Sequence, residues 1–257
     1  MCELFGVNSQ EKIPVNGLLQ EFFSHSREHP NGWGMAIFYG NAVSLEKEPL
    51  SAHKSAYLKE RLRHPLSVHS MIGHIRKATV GAQEFENCHP FVKRDNFGRS
   101  WTLAHNGTIF NCPALEPYAR IQEGGTDSER ILYHIIAQVD RTQASAGRAL
   151  DAEERFALVD RLVCEIAPHN KLNLLIYDSE LFYVHTNYAD SLYIRKMQGT
   201  VLFSTVPLEL TGWQPMLFTT LCAYQNGQER FHGTCHRSEY HDNPEDMRFI
   251  FTDFAGL

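Results

Sequence analysis

The chain begins Met1-Cys2-Glu3-Leu4-Phe5-Gly6-Val7, a cysteine in second place that leads straight into an apolar strand. Initiator methionine is removed when the next side chain is small, and cysteine qualifies. Cys2 is therefore expected to become the first residue of the working chain, with a thiol and a free amine on one Cα. A cysteine thiol ordinarily titrates near pH ~8.5 and an α-amine near ~8. Such an amine is a usable base at neutral pH, so one residue can be nucleophile and proton acceptor together. That demand constrains the fold, because the reactive residue has to sit at the start of a rigid strand.

Downstream, strand and helix signals alternate with no repeat and no linker. Val15, Leu18, Leu19, Phe22 and Phe23 recur at helical spacing after Pro14. Trp33 to Tyr39 and Ala42 to Lys47 flank Gly40-Asn41, a two-residue hairpin signal. Lys54 to Arg63 reads as a short polar helix and Val68 to His74 as a strand. The stretch from Phe85 to Ser100 is irregular and reads as a loop. Trp101 to His105 reads as a strand closed by an Asn106-Gly107 turn. The clearest helix runs from Thr126 to Val139, where Thr126 and Glu129 have capping-box spacing. Asp151 and Glu154 offer a second capping box for a helix carrying Phe156, Val159, Leu162, Val163 and Ile166. Strands follow at Leu172 to Tyr177, Leu181 to His185, Leu192 to Arg195 and Val201 to Ser204. Leu217 to Tyr224 and Gln228 to Phe231 surround Asn226-Gly227, the strongest hairpin signal in the chain. The simplest organisation is one α+β domain over 1–257, with a C-terminal tail from about 233 to 257.

The bulk properties exclude several function classes. With 257 residues and 43% hydrophobic content the chain can bury a substantial core. A formal net charge of -6 argues against a groove that tracks phosphates, so nucleic acid is not an expected partner. No apolar run reaches membrane-spanning length, and the N-terminus lacks the features of a signal peptide. The six cysteines show no paired spacing, which suits a reducing cytoplasm. His232, Cys235, His236 and His241 form the densest patch of metal-ligand types. Structural zinc sites usually show two ligand pairs at set spacings, so this patch reads as polar tail and no metal or cofactor is expected.

Six short segments carry the chemistry: MCELFG at the start, NGWG at 31–34, GHIRKAT at 73–79, NCHPF at 87–91, AHNGTI at 104–109 and GTDSE at 125–129. Their types and order resemble class II glutamine amidotransferases, of the N-terminal nucleophile hydrolase superfamily. The resemblance is specific from Cys2 to about Glu129 and continues less specifically through Lys171–Leu175 and Ser204–Leu208. It is nearest to the stand-alone, single-domain branch. It implies a four-layer αββα sandwich, two antiparallel sheets between helices.

By the same resemblance, Cys2 attacks the side-chain amide carbon of glutamine, its α-amine takes the thiol proton, and a thioester forms that water hydrolyses. Asn106 and Gly107 would supply the oxyanion donors, each worth on the order of a hundredfold in rate. Arg76 would hold the substrate carboxylate in a two-pronged hydrogen bond, a geometry lysine matches poorly. Asp127 would hold the ammonium, and can also complement its helix dipole. Thr79 and His89 are placed at the glutamine site, His89 without a defined role. His74 and His105 flank the motifs and read equally as structural or functional. Lys77 and Val80 stand where synthase-linked relatives carry an aromatic and a histidine. That departure bears on coupling to an acceptor domain and leaves hydrolysis untouched.

The expected activity is a cytoplasmic glutaminase or amidotransferase that releases ammonia, with a separate ammonia-accepting protein as partner. A γ-glutamyl hydrolase acting on a peptide or thiol conjugate shares every glutamyl contact and stays open. A non-catalytic glutamine-binding module is the reading outside enzymes. Homo-oligomer formation is open.

Overall fold

The computed structural model describes residues 2–78, 81–208 and 211–243. The apolar run after Cys2 becomes the middle of a sheet. It forms β1 (Glu3–Pro14), followed by α1 (Asn16–Ser24), β2 (Trp33–Tyr39), β3 (Ala42–Glu48), α2 (Ala56–Arg61) and β4 (Ser67–Ile75). Then come β5 (Phe91–Arg94), β6 (Ser100–Thr108), α3 (Asp127–Ala146), α4 (Ala152–Ile166), β7 (Lys171–Tyr177) and β8 (Phe182–His185). The last strands are β9 (Tyr193–Met197), β10 (Thr200–Ser204), β11 (Trp213–Pro215), β12 (Cys222–Gln225) and β13 (Gln228–His232).

The strands make two antiparallel sheets. One has the order β11-β9-β10-β1-β4-β2-β3, the other β13-β12-β8-β7-β6-β5. Successive side chains of a strand point to opposite faces, so a strand covered on both sides buries every residue. In β1, Leu4 enters the core between the two sheets, while Phe5 and Val7 pack with Leu19, Phe22 and Phe23 of α1. In β7, Leu175 joins the same inter-sheet core, while Leu174 and Ile176 pack with Ile131 and Ile135 of α3 and Val159 of α4. Three stacked cores thus separate four layers, helix, sheet, sheet and helix, as the α+β expectation has it.

Several local expectations are corrected. The 85–100 stretch is not all loop: β5 forms within it and pairs with β6. It is a four-residue edge strand containing Lys93 and Arg94, so no apolar alternation announces it. Asn106-Gly107 is not a turn. Both residues continue β6, opposite Asn173 and Leu172 of β7. Backbone pairing with a central strand outcompetes the local turn preference of the dipeptide. At Asp151 the capping box forms as expected, with Glu154 N donating to Asp151 Oδ1 at 2.9 Å and Asp151 N to Glu154 Oε2 at 2.9 Å. At Thr126 it does not, because the Glu129 carboxylate accepts from Glu123 N and Gly124 N of the preceding loop instead. The helix that begins there runs to Ala146, where Gly147 turns left-handed at φ 66°. Leu217 to Leu221 is not strand, and β11 had no sequence signal. The Asn226-Gly227 hairpin is present, both residues having positive φ.

Candidate active site

Cys2 lies just before β1. The neighbouring register pair is Glu3 with Ile75 of β4, which brings Cys2 beside the residues that leave β4. Its Sγ lies 3.4 Å from both Lys77 N, which donates to it, and Lys77 O. The strand start is clamped on both flanks. Leu4 N donates to Thr205 Oγ1 at 3.0 Å and Thr205 N to Leu4 O at 3.1 Å. The buried Glu3 carboxylate meets His25 Nδ1 at 2.8 Å and His29 Nε2 at 3.6 Å. Burial pushes the Cys2 thiol above its ordinary value, and the Lys77 backbone bond and the Arg76 charge pull it back down. A buried thiol of that kind needs a base to become a nucleophile.

Arg76 is buried and braces the site from below. Its backbone N donates to Gly32 O at 2.8 Å, and its guanidinium donates to Gly81 O and Ala82 O, both at 2.9 Å. Its side chain therefore organises the 81–82 loop. Cys2 and Asp127 both act on its charge, and Arg76 and Asp127 both act on the Cys2 thiol, so the three share one electrostatic neighbourhood. Asp127 opens α3. Its Oδ2 accepts from Ile109 N at 2.6 Å and its Oδ1 from the Ser128 hydroxyl at 3.3 Å.

Asn106 is buried in β6, and its side-chain Oδ1 has no hydrogen-bond partner among the described residues. At Gly107 a Cβ would lie 1.9 Å from Lys171 O and 2.4 Å from His105 Nε2. Glycine is thus required by the backbone of β7 and a histidine ring.

Three buried histidines lie alongside. His74 and His89 stack with ring centres 4.2 Å apart, and His105 N donates to His89 Nδ1 at 3.3 Å. His105 also bonds the Ser128 hydroxyl through Nδ1 at 2.8 Å and the Lys171 carbonyl through Nε2 at 3.0 Å. Burial holds His74 and His89 well below the ordinary histidine range and lowers His105, so all three rings are neutral near pH 7. His89 is packed between His74 and Phe91 and faces β2, where a Cβ at Gly34 would lie 2.1 Å from its carbonyl oxygen. Its ring thus packs on its neighbours and accepts from the β6 backbone at His105.

Cys2 precedes β1, Arg76 follows β4, Asn106 and Gly107 lie near the end of β6, His89 precedes β5 and Asp127 opens α3. Thr79 lies outside the described residues. Two residues were overlooked as site organisers. Asn87 bridges two loops, Nδ2 donating to Ala82 O at 3.0 Å and Oδ1 accepting from Gly125 N at 2.7 Å. Asn31 accepts from Ala78 N at 3.0 Å, fixing the backbone that touches Cys2. Both are the asparagines of recognised motifs, so the signal was present. The His232, Cys235, His236 and His241 patch does not gather into one cluster among the described residues: His236 meets His185, and His232 meets Glu229.

Known proteins resemble this chain in sequence and in fold. An uncharacterised protein of Methanocaldococcus jannaschii is 31% identical over 189 residues, 73% of this chain and 51% of that protein. Escherichia coli YafJ is 29% identical over 197 residues, 73% of this chain and 74% of its own length. A crystal structure described as a predicted glutamine amidotransferase from Pseudomonas aeruginosa superposes with a TM-score of 0.60 at 19% identity, covering 89% of this chain and 99% of the other. The glutamine phosphoribosylpyrophosphate amidotransferase structure from B. subtilis gives 0.65 at 18% identity, with 89% of this chain matching 48% of that one. This chain thus spans about half the length of the archaeal relative and of the Bacillus structure. Residues 1–201 match the family described as glutamine amidotransferases class-II, and the chain belongs to that family.

Proposed function

We propose that the chain hydrolyses the side-chain amide of glutamine through a thioester on Cys2 and releases ammonia. The observation that carries this reading is the convergence on one thiol: Cys2 is held by the Lys77 backbone and shares its field with Arg76 and Asp127. A cation and an anion flanking a nucleophile suit a substrate whose far end is a free amino acid. For Arg76 to grip the carboxylate, that carboxylate has to join or replace the carbonyls of Gly81 and Ala82.

The reaction requires Cys2 as the first residue, with Met1 removed. The α-amine accepts the thiol proton, and Sγ forms a bond to the amide carbon. The negative oxygen of the tetrahedral intermediate is met by the Asn106 amide and the Gly107 N–H. An asparagine amide presents NH2 and oxygen in nearly the same shape, so a half-turn aims its donor where the unpartnered Oδ1 now stands. Collapse breaks the C–N bond, and the ammonium on Cys2 returns its proton to the departing nitrogen, giving ammonia. Water then splits the thioester, yielding glutamate and the free thiol. A cytoplasmic setting fits the six free cysteines. The ammonia passes, on this reading, to a separate protein.

Purified chain should be tested for ammonia release from glutamine and for cleavage of a γ-glutamyl peptide panel, with its intact mass recorded. Cys2→Ala is expected to lower turnover at least about a thousandfold. Active protein that retains Met1, or undiminished turnover by Cys2→Ala, would sink the mechanism.

A further inference from the structure

We propose that the β12–β13 hairpin carries a zinc-type metal site made by Cys222, Glu229 and His232. Each offers one ligand atom, and the three atoms lie within 4.8 Å of one another. A thiolate, an imidazole and a carboxylate form the donor set of a borderline-soft divalent ion, and three protein ligands leave a fourth tetrahedral position for water.

Backbone register explains why these three meet. Cys222 pairs with His232, and Tyr224 pairs with Glu229. Residues of a regular strand that are three apart point to opposite faces. Glu229 and His232 are three apart and would diverge. The register shift between Ala223 and Tyr224 adds one residue to β13 and brings both onto the face that Cys222 shares. That face is the inner one, since Cys222 and Tyr224 lie in the inter-sheet core while Ala223 faces the helices. Cys222 is fully buried, whereas the His232 side chain is 58% exposed and that of Glu229 35% exposed, so an ion can enter from the sheet edge.

The site is distinct from the one at Cys2. In the sheet, β8 and β7 separate β12 from β6, which carries Asn106. His232 Nδ1 already meets Glu229 Oε1 at 3.0 Å, so two ligands are drawn together before any ion arrives. On binding, the S–H bond breaks, the proton leaves to solvent and sulfur takes the metal as its partner. The ion would fasten edge strand β13 to β12 and, through the Cys222–Val184 pair, to β8.

The test is zinc titration of chelator-treated full-length protein carrying Cys2→Ala and Cys235→Ser, which removes the thiol of the candidate active site and the exposed thiol nearest the hairpin in sequence. One zinc per chain is expected, with a rise in melting temperature. Cobalt in its place should give a thiolate-to-metal charge-transfer band. His232→Ala, an exposed position that leaves the fold intact, should weaken zinc binding at least about tenfold. Cys222→Ser should abolish the cobalt band. Absence of stoichiometric zinc in that doubly substituted protein would overturn the assignment, as would unchanged affinity in both His232→Ala and Glu229→Gln.

Discussion

Two buried polar regions of this molecule are built on opposite terms. Around Arg155, everything is paired. Its Nε donates to Asp178 Oδ2 at 2.7 Å, one terminal nitrogen to Leu150 O at 2.8 Å, and the other to Glu180 Oε2 at 2.5 Å. Asp178 accepts further from the Tyr183 hydroxyl at 2.7 Å, from Leu181 N at 2.7 Å and from Glu180 N at 3.0 Å. At the Cys2 end, by contrast, both ring nitrogens of His74, the Asn106 Oδ1 and the Thr126 hydroxyl have no partner among the described residues. A buried polar atom without a partner costs about 1–3 kcal/mol. The closed network ties α4 to the β7–β8 turn, with every guanidinium nitrogen already on an acceptor. The open one gives up stability and keeps groups ready for something not yet there. Unpartnered atoms at Thr102 and Gln143 show that openness alone does not mark a site. What marks it is openness in the neighbourhood of a thiol that is held by the Lys77 backbone and feels the charges of both Arg76 and Asp127.

The comparison breaks first at Asp178. Asp178→Ala would leave the Arg155 guanidinium buried without its main counter-charge, since both side chains are essentially inaccessible. Breaking a buried pair from one side typically costs about 3–5 kcal/mol. The expected result in denaturant unfolding is a loss of that size, with the proposed turnover of glutamine per folded molecule unchanged. A loss under about 1 kcal/mol would mean that the network is ornamental and that the two regions do not differ as described.

Asn106→Ala should behave in the opposite way. It removes a buried group whose Oδ1 is unpartnered, so stability should change little. Turnover should fall about a hundredfold or more, the usual cost of an oxyanion donor. If kcat stays within about threefold while the melting temperature drops sharply, Asn106 serves the fold and the open region is not the oxyanion pocket.

Much of this contrast was legible in the sequence, but unevenly. Cys2, Arg76 and Asp127 were readable because each residue type answers one chemical demand and lies in a motif of fixed order. The long helices and the Asn226-Gly227 hairpin were readable because their signals are local. Asn106-Gly107 misled for the same reason: its local preference is a turn, and only the neighbouring β7, some 65 residues later in the chain, makes it a strand. Glu129 misled because its best partners are backbone N–H groups in the preceding loop. The Cys222, Glu229 and His232 group was invisible, since a one-residue register shift decides which side chains share a face. Non-local pairing, not composition, carried what was missed.

The smallest effect sharpens the comparison most. His74 is fully buried with no well-formed hydrogen bond to either ring nitrogen and only a weak approach to the His105 backbone, so an apolar replacement removes an under-satisfied group. His74→Leu should therefore shift stability at pH 7 by no more than about 1 kcal/mol in either direction. Its signature is in acid. Burial depresses His74, His89 and His105 in the folded chain, and His185 falls to about 3. These rings stay neutral when folded and gain protons when unfolded, so below an unfolded value near ~6.5 the unfolded state binds more protons. Stability is then fully present above ~6.5 and drains as the pH falls toward the folded values. Removing one such ring should make the fall between pH 6 and 5 shallower by close to one proton. An unaltered slope would mean that His74 already carries its proton in the folded state, and the site end would then hold a paired charge as the Arg155 network does.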